Sequence, residues 1–457
     1  MASTVTTLSF RDGFLWLDGG LDPAITSRHF KRHPLGRYAA PAHHYGTIMR
    51  ECASQGIAIR DLAGEFATVP PFRHHEELDP FDFQRDAIKA WENAGRRGMI
   101  ILPTGAGKSF MTRLLVARLA VRDAACSTLI VVPTRALLYQ WHAQLQAAFH
   151  LRIGIVGDDL YDLQPITVTT YASARIQMPR FGNRWKLMVF DEVHRKLAGS
   201  SSANTARFAV APYRLGLTAT PIERELPLLT ELVGPIVFER TTHELIERDV
   251  LSVYRTAAVR LSPTHGEVAR YFDIRKPMDE LWHLARGQHW VRGRDWFVIA
   301  KKHHPDAAAL ALRAVQQAHR YWASIPSRMD RLERILAQHP NDRILIFTES
   351  RASAYDVSRR FLIPSVTADI DGDEREIYLR AFASGQCRAL VTARALEEGI
   401  DLPEANVAVI LAGRKKRNVD TIAYIQRRGR ILRKRAGKEA TVYEVAWSLP
   451  KRRAGHT

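Results

Sequence analysis

The chain has 457 residues, 46% hydrophobic and 25% charged, a globular balance that excludes wholesale disorder and allows several domains. Lysine and arginine number 66 against 48 acidic residues, and the net charge of +18 points to a polyanionic partner, nucleic acid first. No apolar run reaches the ~18 residues of a membrane span and the start lacks a signal peptide's order, so a cytoplasmic protein (nucleoid-associated in a bacterium, archaeon or phage) is expected.

In chain order, residues 1–76 combine a strand-like run at Phe14–Leu17 with a helical stretch near Tyr45–Gly56, and read as a small accessory domain. The consecutive prolines Pro70 and Pro71 mark a linker, because proline stops both helix and sheet. From about 80 to 240, short aliphatic strands (Met99–Leu102, Leu129–Val132, Ile166–Thr169, Leu187–Phe190) alternate with amphipathic helical stretches. That alternation predicts a parallel sheet covered on both faces. A second series, Arg343–Thr348, Ala389–Thr392, Val407–Leu411 and Ala440–Val445, predicts another. The expected fold class is therefore α/β, with domains at 77–245 and 246–457.

The segment at about 264–328 shows no strand pattern and holds Trp282, Trp290, Trp296 and Trp322, four of the nine tryptophans, among many basic residues. It reads as a helical insert whose aromatics either stack bases or form its own core. Residues 411–457 carry 14 basic and 3 acidic residues, a net +11. Cys52, Cys126 and Cys387 are too dispersed for a disulfide framework or a thiolate metal site.

The sharpest local signal is Thr104-Gly105-Ala106-Gly107-Lys108-Ser109, between strand Met99–Leu102 and an expected helix at Phe110–Ala120. A glycine-rich turn there aims backbone N–H groups at phosphate oxygens, at the positive end of the helix dipole. Lys108 would reach the β and γ phosphates and Ser109 would offer its hydroxyl to Mg²⁺. The strand Leu187–Phe190 then delivers Asp191 and Glu192. Asp191 suits a metal's coordination shell, and Glu192 suits a base that deprotonates water. Further on, Gln426-Arg427-Arg428-Gly429-Arg430-Ile431-Leu432-Arg433 spaces arginines three apart, so that they share one helix face and can reach a γ-phosphate.

With Val132-Pro133-Thr134-Arg135, Thr169-Thr170-Tyr171, Leu217-Thr218-Ala219-Thr220-Pro221 and Glu398-Gly399-Ile400-Asp401 between these motifs, the chain over about 80–450 resembles a superfamily 2 DExH helicase or translocase. It is most similar to the XPB/Rad25 type, with phage helicases of the UvsW type as a near rival. The resemblance implies two tandem RecA-like domains that use ATP and Mg²⁺. It implies that Gln84 reads adenine and that Gly399 and Asp401 lie near the ribose. Pro133, Thr134, Arg135, Thr170 and Tyr171 would meet the nucleic-acid backbone in the first domain, and Thr348 and Thr392 in the second. Thr218 and Thr220 would couple nucleotide state to closure, Arg430 and Arg433 would act as arginine fingers, and Gln426 would sit beside the water. The implied substrate is single-stranded, duplex or forked DNA, in repair or recombination, and residues 1–76 would be a duplex- or damage-sensing domain. An RNA helicase, or an ATP-switched scaffold recruiting a nuclease or repair protein, remain the alternatives.

Overall fold

The structure, a computed structural model, describes residues 6–34, 37–72, 74, 79–197, 202–219, 223–248, 250, 254–287, 296–367, 369–393, 405–411 and 440–446. It divides into two compact units, one reaching Leu251 and the other starting at Ser252.

The first unit opens with a small sheet built from β1 (Thr7–Arg11), β2 (Phe14–Asp18), β3 (Lys31–Arg32), β4 (Tyr38–Pro41) and β5 (Arg60–Leu62), in the order β3-β4-β2-β1-β5. Asp12 and Gly13 join β1 to β2 with φ of 53° and 83°, the paired positive values of a two-residue hairpin turn. A side chain at Gly13 would also strike the Phe208 ring, with a Cβ only 2.6 Å away. Helices α1 (Pro23–His29) and α2 (Tyr45–Ser54) contribute Ile25, Ile48 and Cys52 to a core with Leu8, Leu15 and Leu17. Val210, from the neighbouring α/β region, belongs to the same core. The following segment is pinned by backbone bonds from Ala67 N–H to Arg184 O (2.9 Å) and from Val69 N–H to Ala124 O (2.7 Å). The accessory domain is thus seated on the α/β region through shared apolar packing.

That region is an eight-stranded sheet of β6 (Arg97–Ile101), β7 (Thr128–Val132), β8 (Gly154–Gly157), β9 (Leu160–Asp162), β10 (Ile166–Thr170), β11 (Leu187–Asp191), β12 (Tyr213–Thr218) and β13 (Ile236–Glu239). Its order is β13-β6-β12-β11-β7-β10-β8-β9, and every pair is parallel except β8 with β9. Every residue of β7, β10 and β11 is buried, which is why these strands read as apolar or threonine runs, broken only by Asp191 at the end of β11. Helix α3 (Asp82–Asn93) leads into β6, and α4 (Lys108–Arg122), α5 (Arg135–Phe149) and α6 (Tyr171–Phe181) connect successive strands. Thr134 and Thr170 cap α5 and α6 with side-chain oxygens that accept from Leu137 and Ser173 N–H groups. The short helices α7 (Val193–Lys196), α8 (Asn204–Arg207), α9 (Leu226–Leu232) and α10 (Thr242–Glu247) complete the unit.

The second unit contains β14 (Tyr254–Arg260), β15 (Ile344–Thr348), β16 (Ser365–Val366), β17 (Ala389–Thr392), β18 (Val407–Leu411) and β19 (Ala440–Ala446), all parallel in the order β14-β19-β18-β15-β17-β16. After β14 come four helices, α11 (His265–Gly287), α12 (Trp296–His303), α13 (Pro305–Ala323) and α14 (Pro326–Gln338). Trp322 is buried against Tyr271, with ring centroids 5.2 Å apart, so it serves the insert's own core and is closed to base stacking. Helices α15 (Arg351–Phe361) and α16 (Gly372–Ser384) follow β15 and β16. Arg328 on α14 is fully buried and donates to the carbonyls of Ala323 and Leu411, tying the insert to β18.

Candidate functional site

The turn between β6 and α4 holds its glycines where only glycine fits easily. Gly105 and Gly107 have φ of 89° and 77°, and a Cβ on Gly107 would lie 2.6 Å from Gln84 Nε2. Gln84, buried on α3, accepts from Phe81 N–H (3.0 Å) through Oε1 and donates from Nε2 to Ala106 O (3.0 Å). One end of its amide therefore caps α3 and the other braces the turn. Lys108 opens α4 and folds back, its Nζ donating to Leu102 O at 3.0 Å and Pro103 O at 3.4 Å. Leu102 N–H in turn donates to Thr218 O at 3.0 Å, joining the turn to the end of β12.

One strand further along the sheet, β11 presents Asp191 with Glu192 next in sequence. Asp191 is nearly buried. Its Oδ2 accepts from Trp141 Nε1 (3.0 Å) and its Oδ1 from Glu192 N–H (3.1 Å). Burial first, and then the charge of Glu192, raise its pKa to about 6, while the Trp141 bond and the Lys108 charge oppose the rise. Glu192 sits in the left-handed region at φ 50°, an unfavourable place for a residue with a Cβ, at the entry to α7. His194, fully buried, has Nδ1 2.6 Å from Thr218 Oγ1 and 3.6 Å from Glu192 Oε2. A polar chain thus runs from the acid pair to β12.

Other expected site residues separate into two groups. Pro133, Thr134 and Arg135 lie at the end of β7, with the Arg135 side chain exposed and Thr134 half-buried as a cap. Thr170, expected at the polymer, is buried at 8% exposure and spends its hydroxyl on Ser173 as the cap of α6. Tyr171 departs from expectation: it is only 4% exposed and donates its hydroxyl to Asp191 O (3.0 Å), so it supports the acid strand from beneath. In the second unit Thr348 and Thr392 are also turned inward, at 1% and 0% exposure. Thr348 Oγ1 donates to Thr392 O (3.1 Å) and Thr392 Oγ1 to Val366 O (2.8 Å), so their hydroxyls lock strand ends together instead of facing a polymer. Thr220, Gly399, Asp401, Gln426, Arg430 and Arg433 lie outside the described residues. Sequence reading missed Trp141, which is 50 residues from its partner Asp191; a tryptophan on the helix after the neighbouring strand was the available signal.

The turn fits a nucleotide's phosphates on its own evidence. Thr104 Oγ1 is buried with no hydrogen-bond partner among the described residues, and backbone N–H groups gather at the N-terminus of a 15-residue helix. Ser109 and Asp191 supply hard oxygen donors of the kind Mg²⁺ takes. Among the described residues no cluster of three or more His, Cys, Asp or Glu side chains could hold a metal without a substrate's help. Among the same residues, no helix is long and apolar enough to cross a membrane.

Comparison with known proteins agrees with this geometry. Residues 77–223 match the family described as type III restriction enzyme, res subunit, and residues 327–435 match the helicase conserved C-terminal domain. The DNA 3'-5' translocase XPB2 of Sulfurisphaera tokodaii is 34% identical over 415 residues, covering 90% of this chain and 91% of that protein. A putative DNA 3'-5' helicase Rad25 of Halobacterium salinarum is 26% identical across 81% of this chain and 55% of its own longer length. Among solved structures, the Hef helicase domain of Pyrococcus furiosus superposes with a TM-score of 0.52 at 18% identity, over 80% of this chain and 95% of that one, which establishes tandem RecA-like domains. The chain belongs to the XPB/Rad25 family of superfamily 2 helicases.

Proposed function

We propose that the chain is an ATP-driven DNA translocase that moves 3'-5' and remodels duplex or branched DNA. The observation that carries the reading is the hydrogen-bonded path from the phosphate turn through Leu102 and Thr218 to His194, beside the acid pair Asp191 and Glu192. The polarity follows the activity named for the Sulfurisphaera and Halobacterium relatives.

Bound ATP with Mg²⁺ supplies the phosphoryl group to be transferred and the charge that polarises it. The N–H groups of residues 105–109 and the Lys108 ammonium would bind the phosphates, and Ser109 and Asp191 would hold the metal. Glu192 takes the proton of the attacking water. By the family resemblance, Arg430 and Arg433 would steady the charge that builds on the phosphate and Gln426 would orient the water. Thr218, bonded to both the turn and His194, passes the change in phosphate state to β12. Thr134 and Arg135 would face the polymer's backbone, so little sequence preference is expected.

The test is steady-state ATP hydrolysis with no polymer, single-stranded DNA, forked DNA and matched RNA. DNA should stimulate turnover at least ~10-fold and RNA much less, with Glu192→Gln lowering the stimulated rate about 10²–10⁴-fold. Lys108→Ala should be inactive on every polymer. Stimulation by RNA alone would replace the substrate, and strand displacement by Glu192→Gln at the wild-type rate would defeat the motor reading.

A further inference from the structure

The two α/β units share a feature that nucleotide binding does not use. In the first, Thr134 caps α5, Arg135 is its first residue and Tyr139 lies one turn on. In the second, Ser350 caps α15, Arg351 is its first residue and Tyr355 lies one turn on. The sequences are Thr134-Arg135-Ala136-Leu137-Leu138-Tyr139 and Ser350-Arg351-Ala352-Ser353-Ala354-Tyr355, matching at Arg, Ala and Tyr with a hydroxyl residue as cap.

In each unit a distant aspartate meets both side chains. Arg135 Nη1 is 2.6 Å from Asp158 Oδ1, and Tyr139 donates its hydroxyl to Asp158 Oδ2 at 2.7 Å. Arg351 Nη1 is 3.6 Å from Asp369 Oδ2, and Tyr355 donates to that same oxygen at 2.9 Å. The topology is also the same. Asp158 follows β8 and Asp369 lies just beyond β16; each strand is the next in sequence after its helix and lies two places away in the sheet.

The carboxylate is the fixed member of each trio. Asp158 and Asp159 form the two-residue turn between β8 and β9, both with positive φ (55° and 63°), where glycine or asparagine is the easier choice. Tyr139 anchors the acid there. Asp369 is held by Tyr355 and also by Thr367 Oγ1, at 2.6 Å. The arginines are the loose members, with side chains 74% and 62% exposed. Exposed ion pairs of this kind are weak, worth at most about fivefold in an equilibrium, so the guanidinium can leave at little cost.

We propose that Asp158 and Asp369 are exchange partners for nucleic-acid phosphate. Each holds its arginine when no backbone is present, yields it to a phosphodiester on binding, and takes it back on release. Such a carboxylate weakens the grip of each unit, which suits a motor that must let go in every cycle. The inference rests on the proposed function for the strand end beside Arg135 and, for Arg351, on the matching trio at the equivalent strand end.

The test is a titration of labelled single-stranded DNA with the full chain at low and at physiological salt. Asp158→Asn keeps a residue that tolerates positive φ, and Asp369→Asn keeps a side chain that can accept from Tyr355. Each should tighten binding about threefold, and the pair together about tenfold. Arg135→Gln should erase the gain from Asp158→Asn while sparing the gain from Asp369→Asn. The doubly substituted chain should also displace fewer bases per ATP. Asn variants that bind as wild type, or more weakly, would overturn the exchange while leaving the function standing. A wild-type chain that binds neither DNA nor RNA would overturn both.

Discussion

The two α/β units are built on one strand plan. Setting aside β13 and β9, the order β6-β12-β11-β7-β10-β8 in the first corresponds strand for strand to β14-β19-β18-β15-β17-β16 in the second, and the sequence order of the strands is also the same. The difference lies in the segments attached to the ends of equivalent strands. After β6 comes a glycine turn and α4, and after β14 come four residues and the 23-residue α11 of the insert. β11 ends in Asp191, whereas its counterpart β18 ends in Leu411. Identical topology therefore carries a glycine turn with an acid pair in one unit and a helical insert in the other. Chemistry resides in the turns at the strand ends, and the sheet only decides which turns become neighbours.

Each unit also buries an arginine that donates to backbone carbonyls, and the two differ in how many elements those carbonyls join. Arg214 donates to Ala206, Ala209, Ala211 and Leu232, holding α8, the start of β12 and the end of α9 together. Arg328 donates to the carbonyls of Ala323 and Leu411 and also feels the charge of Glu349. Arg214→Met should destabilise the first unit by about 3–5 kcal/mol, and Arg328→Met the second by about 1–3 kcal/mol, because each orphaned carbonyl keeps its desolvation penalty. Chemical denaturation measures both, and equal losses would break the contrast.

Acid should separate the units next. The buried histidines among the described residues, His43 and His194, both belong to the first unit. His43 lies where the accessory domain meets the α/β region, 3.3 Å from Glu231. Burial and the positive Arg214 nevertheless push its pKa down to about 2, so it is neutral in the fold. The unfolded chain takes up a proton below about pH 6.5 that the native chain refuses, so stability falls with decreasing pH by about 1.4 kcal/mol per unit from this group. Melting temperatures between neutral pH and pH 5 should drop, and His43→Asn should flatten that drop. An unchanged slope would assign acid sensitivity elsewhere.

The smallest expected effect sharpens the role of β12. Thr218→Val removes the partner of His194 while keeping its shape, and one hydrogen bond is worth about 1 kcal/mol. The ratio of DNA-stimulated to basal hydrolysis should fall about fivefold. A ratio equal to wild type would mean that the path through β12 transmits nothing.

Much of the site was legible because its parts are contiguous. The glycine turn, the Asp191-Glu192 pair and the fully buried strands β7 and β11 each announce themselves within a few residues, since local backbone demands and apolar runs are local facts. Short elements escaped. β8 has two glycines in four residues and β16 has two residues in all, too little for a period to register. Side-chain direction escaped as well. Tyr171, Thr348 and Thr392 sit in motifs expected to face nucleic acid, yet adjacent residues at a strand end point opposite ways, and packing chose the inward one.

By itself the sequence determined the α/β class, the paired domains, the excess positive charge and the phosphate turn, because composition, period and glycine placement act over short stretches of chain. Only the tertiary structure decided which distant groups touch. It set Trp141 on Asp191, His194 on Thr218, Tyr139 with Arg135 on Asp158, and Tyr355 with Arg351 on Asp369. The reason is physical: in a parallel sheet, strand order is not sequence order, so the neighbours of a strand end are chosen by how the whole core packs.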